Sequence, residues 1–94
     1  MNKTELVGKV AERAGLTKKD TEKVVNSFID VVQDTLAKGD TVAILGFGTF
    51  LARERPAREG RNPRTGETIQ IPASRVPVFR PGRGLRDSIA GDAQ

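Results

Sequence analysis

The sequence predicts an α+β chain: an N-terminal helical hairpin, then a three-stranded antiparallel sheet from which a long β-ribbon arm protrudes, then a short C-terminal helix. Three observations carry that expectation. The spacing of apolar residues switches at Asp40 from a helical period to alternation. Gly15 and Gly39 fall where the two helical runs stop. The stretch from Arg53 to Arg64 has no apolar side chain larger than Ala57 apart from two prolines, so it cannot join a core.

The first helix begins at Asn2, which with Glu5 three residues on forms a capping-box pattern, Asn replacing the usual Ser or Thr. Leu6, Val7, Val10, Ala11 and Ala14 follow at helical spacing, and Gly15 ends the run. Thr17 with Asp20 signals the second start, and Val24, Val25, Phe28, Val31, Val32, Thr35 and Leu36 keep the period until Gly39. The apolar stripe of this helix is wider than one short helix can cover, which calls for a second chain. A chain of 94 residues without cysteine or histidine has neither disulfide nor soft metal site to reinforce it, so oligomerisation is the expected source of extra stability.

After Asp40, Thr41–Leu45 and Thr49–Ala52 read as strands around Gly46-Phe47-Gly48, a β-hairpin. Val25, Phe28, Val32, Leu36, Leu45, Phe47, Phe50 and Phe79 are the expected core and dimer residues. The three phenylalanines of the β region are core anchors rather than base-stacking platforms, for which they are too sparse. Thr68–Pro72 alternates again and Ser74–Phe79 returns as a strand, giving a ribbon with Asn62-Pro63-Arg64-Thr65-Gly66 at its tip. Pro56, Pro72 and Pro77 lack donors and suit edge positions. Pro81-Gly82 breaks the last strand, and Arg83 to Ala90 forms the short helix, with Leu85 and Ile89 on one face. Gly84 inside it costs about 1 kcal/mol relative to alanine, so this helix is marginal unless docked. The expected organisation is one domain over 1–94: a helical dimerisation base at 1–40, a sheet at 41–81 with the arm at about 53–74, the last helix at 82–90 and a frayed tail at 91–94.

Charge is sorted along the chain. Residues 1–40 carry seven cations and seven anions, and all six lysines lie before position 40. Residues 41–94 carry nine arginines against five acidic residues, which is the whole net charge of +4. Guanidinium forks onto phosphate and fits narrow anionic grooves better than ammonium does, so the second half reads as a nucleic-acid surface; biased arginine usage is the plainer alternative. Without His, Cys or Tyr the usual general base, soft ligand and phenolic acid are missing, and the carboxylates are scattered, so no catalytic residue, metal site or cofactor is expected. Gly46-Phe47-Gly48 and Gly82-Arg83-Gly84 are too short for a dinucleotide or Walker pattern, which leaves no small-molecule substrate. No run reaches the roughly 20 apolar residues of a membrane span, and no signal segment opens the chain, so it is read as cytoplasmic and without a membrane partner.

The arm is the informative constellation. Arg53, Arg55, Arg58, Arg61 and Arg64 along an extended ribbon can reach phosphates on both sides of a narrow groove. Pro63 at the extremity offers a small apolar wedge that, pushed between stacked bases, would kink a duplex; an ordinary turn proline is the competing reading.

The segments Gly46-Phe47-Gly48-Thr49-Phe50, Gly60-Arg61-Asn62-Pro63-Arg64-Thr65-Gly66 and Val76-Pro77-Val78-Phe79-Arg80-Pro81-Gly82 resemble the HU and integration host factor family of bacterial histone-like proteins over nearly the whole chain. The resemblance implies an intertwined homodimer, with pairing to a paralogue left open, that sits on double-stranded DNA, is nucleoid-associated, and reaches around the duplex with two arms. It implies DNA contacts from Arg53, Arg55, Arg58, Arg61 and Arg64 on the arm, Asn62 and Pro63 at its tip, and Lys3, Arg80, Arg83 and Arg86 on the body and flank. Gln70 and Arg75 complete the candidate DNA-binding set, Gln70 and Asn62 being the few base-reading side chains. That scarcity favours a sequence-tolerant DNA bender over a sequence-selective host-factor-like subunit. A basic module for RNA or an acidic protein is the reading from another class.

Overall fold

Asn2 does start the first helix. In the computed structural model, which describes residues 1–91, helix α1 spans Lys3–Ala14 and the Glu5 N–H donates to Asn2 Oδ1 at 2.9 Å. Gly15 closes it in the left-handed conformation, its N–H on the Ala11 carbonyl. Helix α2 spans Lys18–Ala37, and Thr17 caps it by accepting from the Asp20 N–H at 3.1 Å. Of the tail expected at 91–94, residues 92–94 lie outside the described residues.

The chain divides into two compact units, Met1–Asp34 and the remainder from Thr35 onward. In the first, Val7 and Ala11 on α1 and Thr21 on α2 are buried. The Thr21 hydroxyl donates back to the Thr17 carbonyl at 2.8 Å, so its burial strands no polar group.

In the second unit, strands β1 (Val42–Ile44), β2 (Gly48–Arg55) and β5 (Ser74–Pro81) form an antiparallel sheet in the order β1-β2-β5, while β3 (Arg58–Arg61) and β4 (Thr68–Ile71) form a two-stranded ladder. Arg55 opposes Ser74 at the end of one ladder and Arg58 opposes Ile71 at the start of the other. Two residues on each strand lie between, so the register is continuous and nothing is bulged. What interrupts pairing is Pro56 on one strand and Pro72 on the other, neither of which has an N–H to give. Pro77 sits on β5, an edge strand, where a missing donor is tolerated.

Paired residues share a face, so the register assigns every side chain of the sheet. Val42, Ile44, Gly48, Phe50, Ala52, Pro77 and Phe79 lie on one face. The Phe79 ring lies 4.8 Å from that of Phe50 and 5.4 Å from that of Phe47, both tilted. Gly48 is buried beneath this cluster, and a Cβ there would run into Phe79 Cζ and stand 2.6 Å from the Arg80 carbonyl oxygen.

Helix α3 (Arg83–Ala90) is docked rather than marginal. The Gly82 N–H donates to the Phe47 carbonyl at 2.7 Å and the Leu85 N–H to the Gly46 carbonyl at 3.1 Å. Gly84, which by propensity alone weakens the helix, is where the helix meets that same carbonyl: an added Cβ would stand 2.6 Å from the Gly46 oxygen.

The eight residues expected as core and dimer contacts are only partly covered within one chain. None of the eight is fully buried: Val25, Val32, Leu36 and Phe50 are half-buried, and Phe28, Phe47 and Phe79 are about two-fifths exposed. For Phe47 and Phe79, a sheet three strands wide lacks the breadth to enclose the rings by itself. Leu45 departs furthest, being wholly exposed. It belongs not to β1 but to the turn Ile44–Phe47, closed by the Phe47 N–H on the Ile44 carbonyl at 2.9 Å, with Gly46 at φ 83°. In such a turn the residue before the glycine points its side chain outward.

Candidate nucleic-acid interface

The face of the sheet opposite the phenylalanines carries the arginines. Arg53 and Arg55 on β2 share it with Arg80 on β5, alongside Thr49, Leu51, Val76 and Val78. All three arginines are exposed. The pattern follows from the alternation of β2, whose odd-numbered residues face one way: Thr and Leu near the body give way to arginine where the strand leaves it. Arg75 belongs to the other face. Glu54 opposes it, and its guanidinium donates from Nη2 to the Ala37 carbonyl at 3.0 Å, supplying a cation to the C-terminal end of α2, whose last turn has no basic residue. The structure therefore separates Arg75 from the arginine face with which it was grouped.

In the β3–β4 ladder, Arg61 shares a face with Glu59, Thr68 and Gln70, while Arg58 lies on the other with Gly60, Ile69 and Ile71. Arginines thus project from both faces of the ribbon. The ribbon ends in the segment Asn62–Glu67. Pro63 and Arg64 stand exposed there, whereas Asn62 is half-buried and its Oδ1 accepts from the Arg64 N–H at 2.9 Å.

Arg83 and Arg86 are exposed on α3, and Arg83 makes a loose pair with Asp87 at 3.8 Å, too solvated to restrain it much. Lys3 lies at the start of α1, in the other unit. Among the described residues no group of His, Cys, Asp and Glu could hold a metal ion, and no helix is long and apolar enough to cross a membrane.

Two features escaped sequence reasoning. One is the set of close approaches at Gly48, Gly82 and Gly84, long-range contacts with no local signature. The other is the engagement of Asn62 and Thr65 inside the tip turn, for which the order Asn-Pro-x-Thr-Gly did hold a signal, since Asn and Thr side chains commonly bond backbone amides two residues on.

The comparisons with known proteins agree with this geometry. Residues 1–90 match the family model described as bacterial DNA-binding protein. The chain is 56% identical over 91 residues to DNA-binding protein HU 1 of Bacillus subtilis, covering 97% of this chain and 99% of that one. It is 55% identical over 89 residues to DNA-binding protein HU of Geobacillus stearothermophilus, covering 95% and 99%. Among solved structures, the Anabaena HU–DNA cocrystal superposes with a TM-score of 0.87 at 48% identity, covering 96% of this chain and 98% of that one. With a family match over almost its whole length and relatives of this similarity, the chain belongs to the HU family of bacterial DNA-binding proteins.

Proposed function

We propose that this chain is a histone-like architectural protein, not an enzyme, that binds double-stranded DNA as a homodimer without strong sequence preference and bends it. The observation that carries the reading is the placement of Arg53, Arg55 and Arg80 on one exposed face, running into a ribbon whose extremity presents Pro63. The arginines neutralise phosphates on either side of the minor groove, and the proline enters between base pairs, where an apolar wedge unstacks a step and kinks the duplex. The HU relative solved with DNA supports the duplex as ligand, and the nucleoid as location follows from it. Pairing of two chains supplies the two arms and covers apolar surface, Leu45 included, that one 94-residue chain leaves exposed.

The test is energy transfer between dyes on the two ends of a short random-sequence duplex at low salt, titrated with the protein and with Pro63→Ala. The natural chain brings the ends together, and the variant binds but bends less, because smooth bending without a kink costs on the order of several kcal/mol over 20–30 base pairs. Binding with no change in end-to-end distance for either protein would discard the bending role. Preference for an A-form RNA duplex over DNA would move the chain to a different class of ligand.

A further inference from the structure

The tip of the arm holds more hydrogen bonds than a wedge by itself needs. The Asn62 N–H donates to the Glu67 carbonyl at 2.8 Å and the Gly66 N–H to the Asn62 carbonyl at 2.7 Å, which closes the loop. Inside it the Arg64 N–H donates to Asn62 Oδ1 at 2.9 Å and the Glu67 N–H to Thr65 Oγ1 at 3.2 Å. Pro63 is the one residue enclosed between Asn62 and Arg64. Its own ring fixes φ, and the bond across it from Arg64 to Asn62 fixes where the chain goes next, so the direction of the pyrrolidine is set from both sides.

We propose that Asn62 is a positioning residue for Pro63: its carboxamide oxygen holds the Asx turn that aims the wedge, and it does not read bases. The inference rests on the wedge reading above and assigns to Asn62 a role different from direct DNA contact. The chemistry of the groove supports it. The minor-groove edge offers acceptors at every base pair and a single kind of donor, the guanine amino group. A carboxamide that discriminated G·C pairs would turn its oxygen toward that donor, whereas here the oxygen is turned inward onto the Arg64 amide. The wedge is thereby aimed without distinguishing one base pair from another, as a sequence-tolerant bender requires.

Three proteins, with Pro63→Ala as the bending reference, test this with the same end-labelled duplex at saturating protein: the natural chain, Asn62→Ala and Asn62→Asp. Aspartate keeps the acceptor and forms the same turn, but loses the amide donor and adds a negative charge. Asn62→Ala is expected to bind within about fivefold of the natural chain, the scale of one net hydrogen bond, while its energy transfer falls to that of Pro63→Ala. Asn62→Asp is expected to bind about tenfold more weakly, with a salt slope lowered by the added negative charge, yet to restore the bend at saturation. Amide exchange of Arg64 in the free protein should be fast in the alanine variant and slow in the other two. An alanine variant that bends like the natural chain, an aspartate variant that bends no better than alanine, or equal Arg64 exchange in all three would overturn the proposal. Failure of the natural chain itself to bend DNA would overturn the wedge reading instead, and is told apart because all three proteins then give the same transfer.

Discussion

In the β1–β2–β5 sheet, Phe50 opposes Phe79 and both rings meet over a buried Gly48; the four residue pairs of the β3–β4 ladder, in the same register two residues further on, bring together Arg58 with Ile71, Glu59 with Gln70, Gly60 with Ile69 and Arg61 with Thr68. One ladder is held by side-chain packing as well as by backbone hydrogen bonds. The other has backbone bonds and a thin apolar strip, with its tip stapled by short-range bonds from Asn62 and Thr65. The proline pair at 56 and 72 separates the two. The division separates the residues that pack the sheet, Gly48, Phe50 and Phe79, from the exposed arginines on its opposite face and on the arm, so substitutions can address one set and spare the other.

The largest effect should come from putting a methyl group where the packing is tightest. Gly48→Ala places a Cβ against the Phe79 ring and, less yieldingly, against the Arg80 carbonyl. Overpacking against backbone predicts a loss of about 3 kcal/mol in urea unfolding. Because folding and chain pairing are linked, the loss should shrink as protein concentration rises. If Gly48→Ala melts like the natural chain, the aromatic cluster is not what holds the sheet together, and the contrast with the arm loses its footing.

Gly84→Ala sharpens the comparison because two principles disagree about its sign. Helix propensity favours alanine by about 1 kcal/mol. The approach of the Gly46 carbonyl opposes it, since a Cβ 2.6 Å from a backbone oxygen forces the helix off the turn and weakens the Leu85 hydrogen bond. Overpacking of about 1–3 kcal/mol outweighs the propensity gain, so a net loss of about 1 kcal/mol is expected in the same unfolding measurement. A stabilised variant would mean that α3 is only loosely docked.

These two glycines also mark the limit of what the sequence discloses. The caps at Asn2 and Thr17 were legible because capping joins residues three apart, and the period switch at Asp40 was legible because side-chain direction is a local property. The meeting of Gly84 with Gly46 joins residues far apart in the chain, and nothing within either local window encodes it; read locally, Gly84 is merely a poor helix former. Leu45 was misplaced by a single residue, since a turn centred on Leu45-Gly46 and one centred on Phe47 look alike in composition while sending the leucine in opposite directions. The arginines of the arm were legible as a set but not as faces. Strand parity divides them, and parity acquires meaning only when the partner strand and its register are known.

Arg75 and Arg55 turn that parity into a measurement, and theirs is the smallest effect. Both are exposed arginines of the sheet that holds the arm, and composition cannot tell them apart. Arg55 lies on the face of Arg53 and Arg80, whereas Arg75 lies on the opposite one and donates to the end of α2 at Ala37. Arg55→Ala should leave unfolding unchanged within a few tenths of a kcal/mol and lower the log–log salt slope of duplex binding by about 0.9, one phosphate released. Arg75→Ala should do the reverse, keeping the slope and losing about 0.5 kcal/mol of stability with its one hydrogen bond to the helix end. Salt titration of the two variants side by side decides the matter: equal drops in slope would place both guanidinium groups on phosphates and show that the sheet presents both of its faces to the duplex.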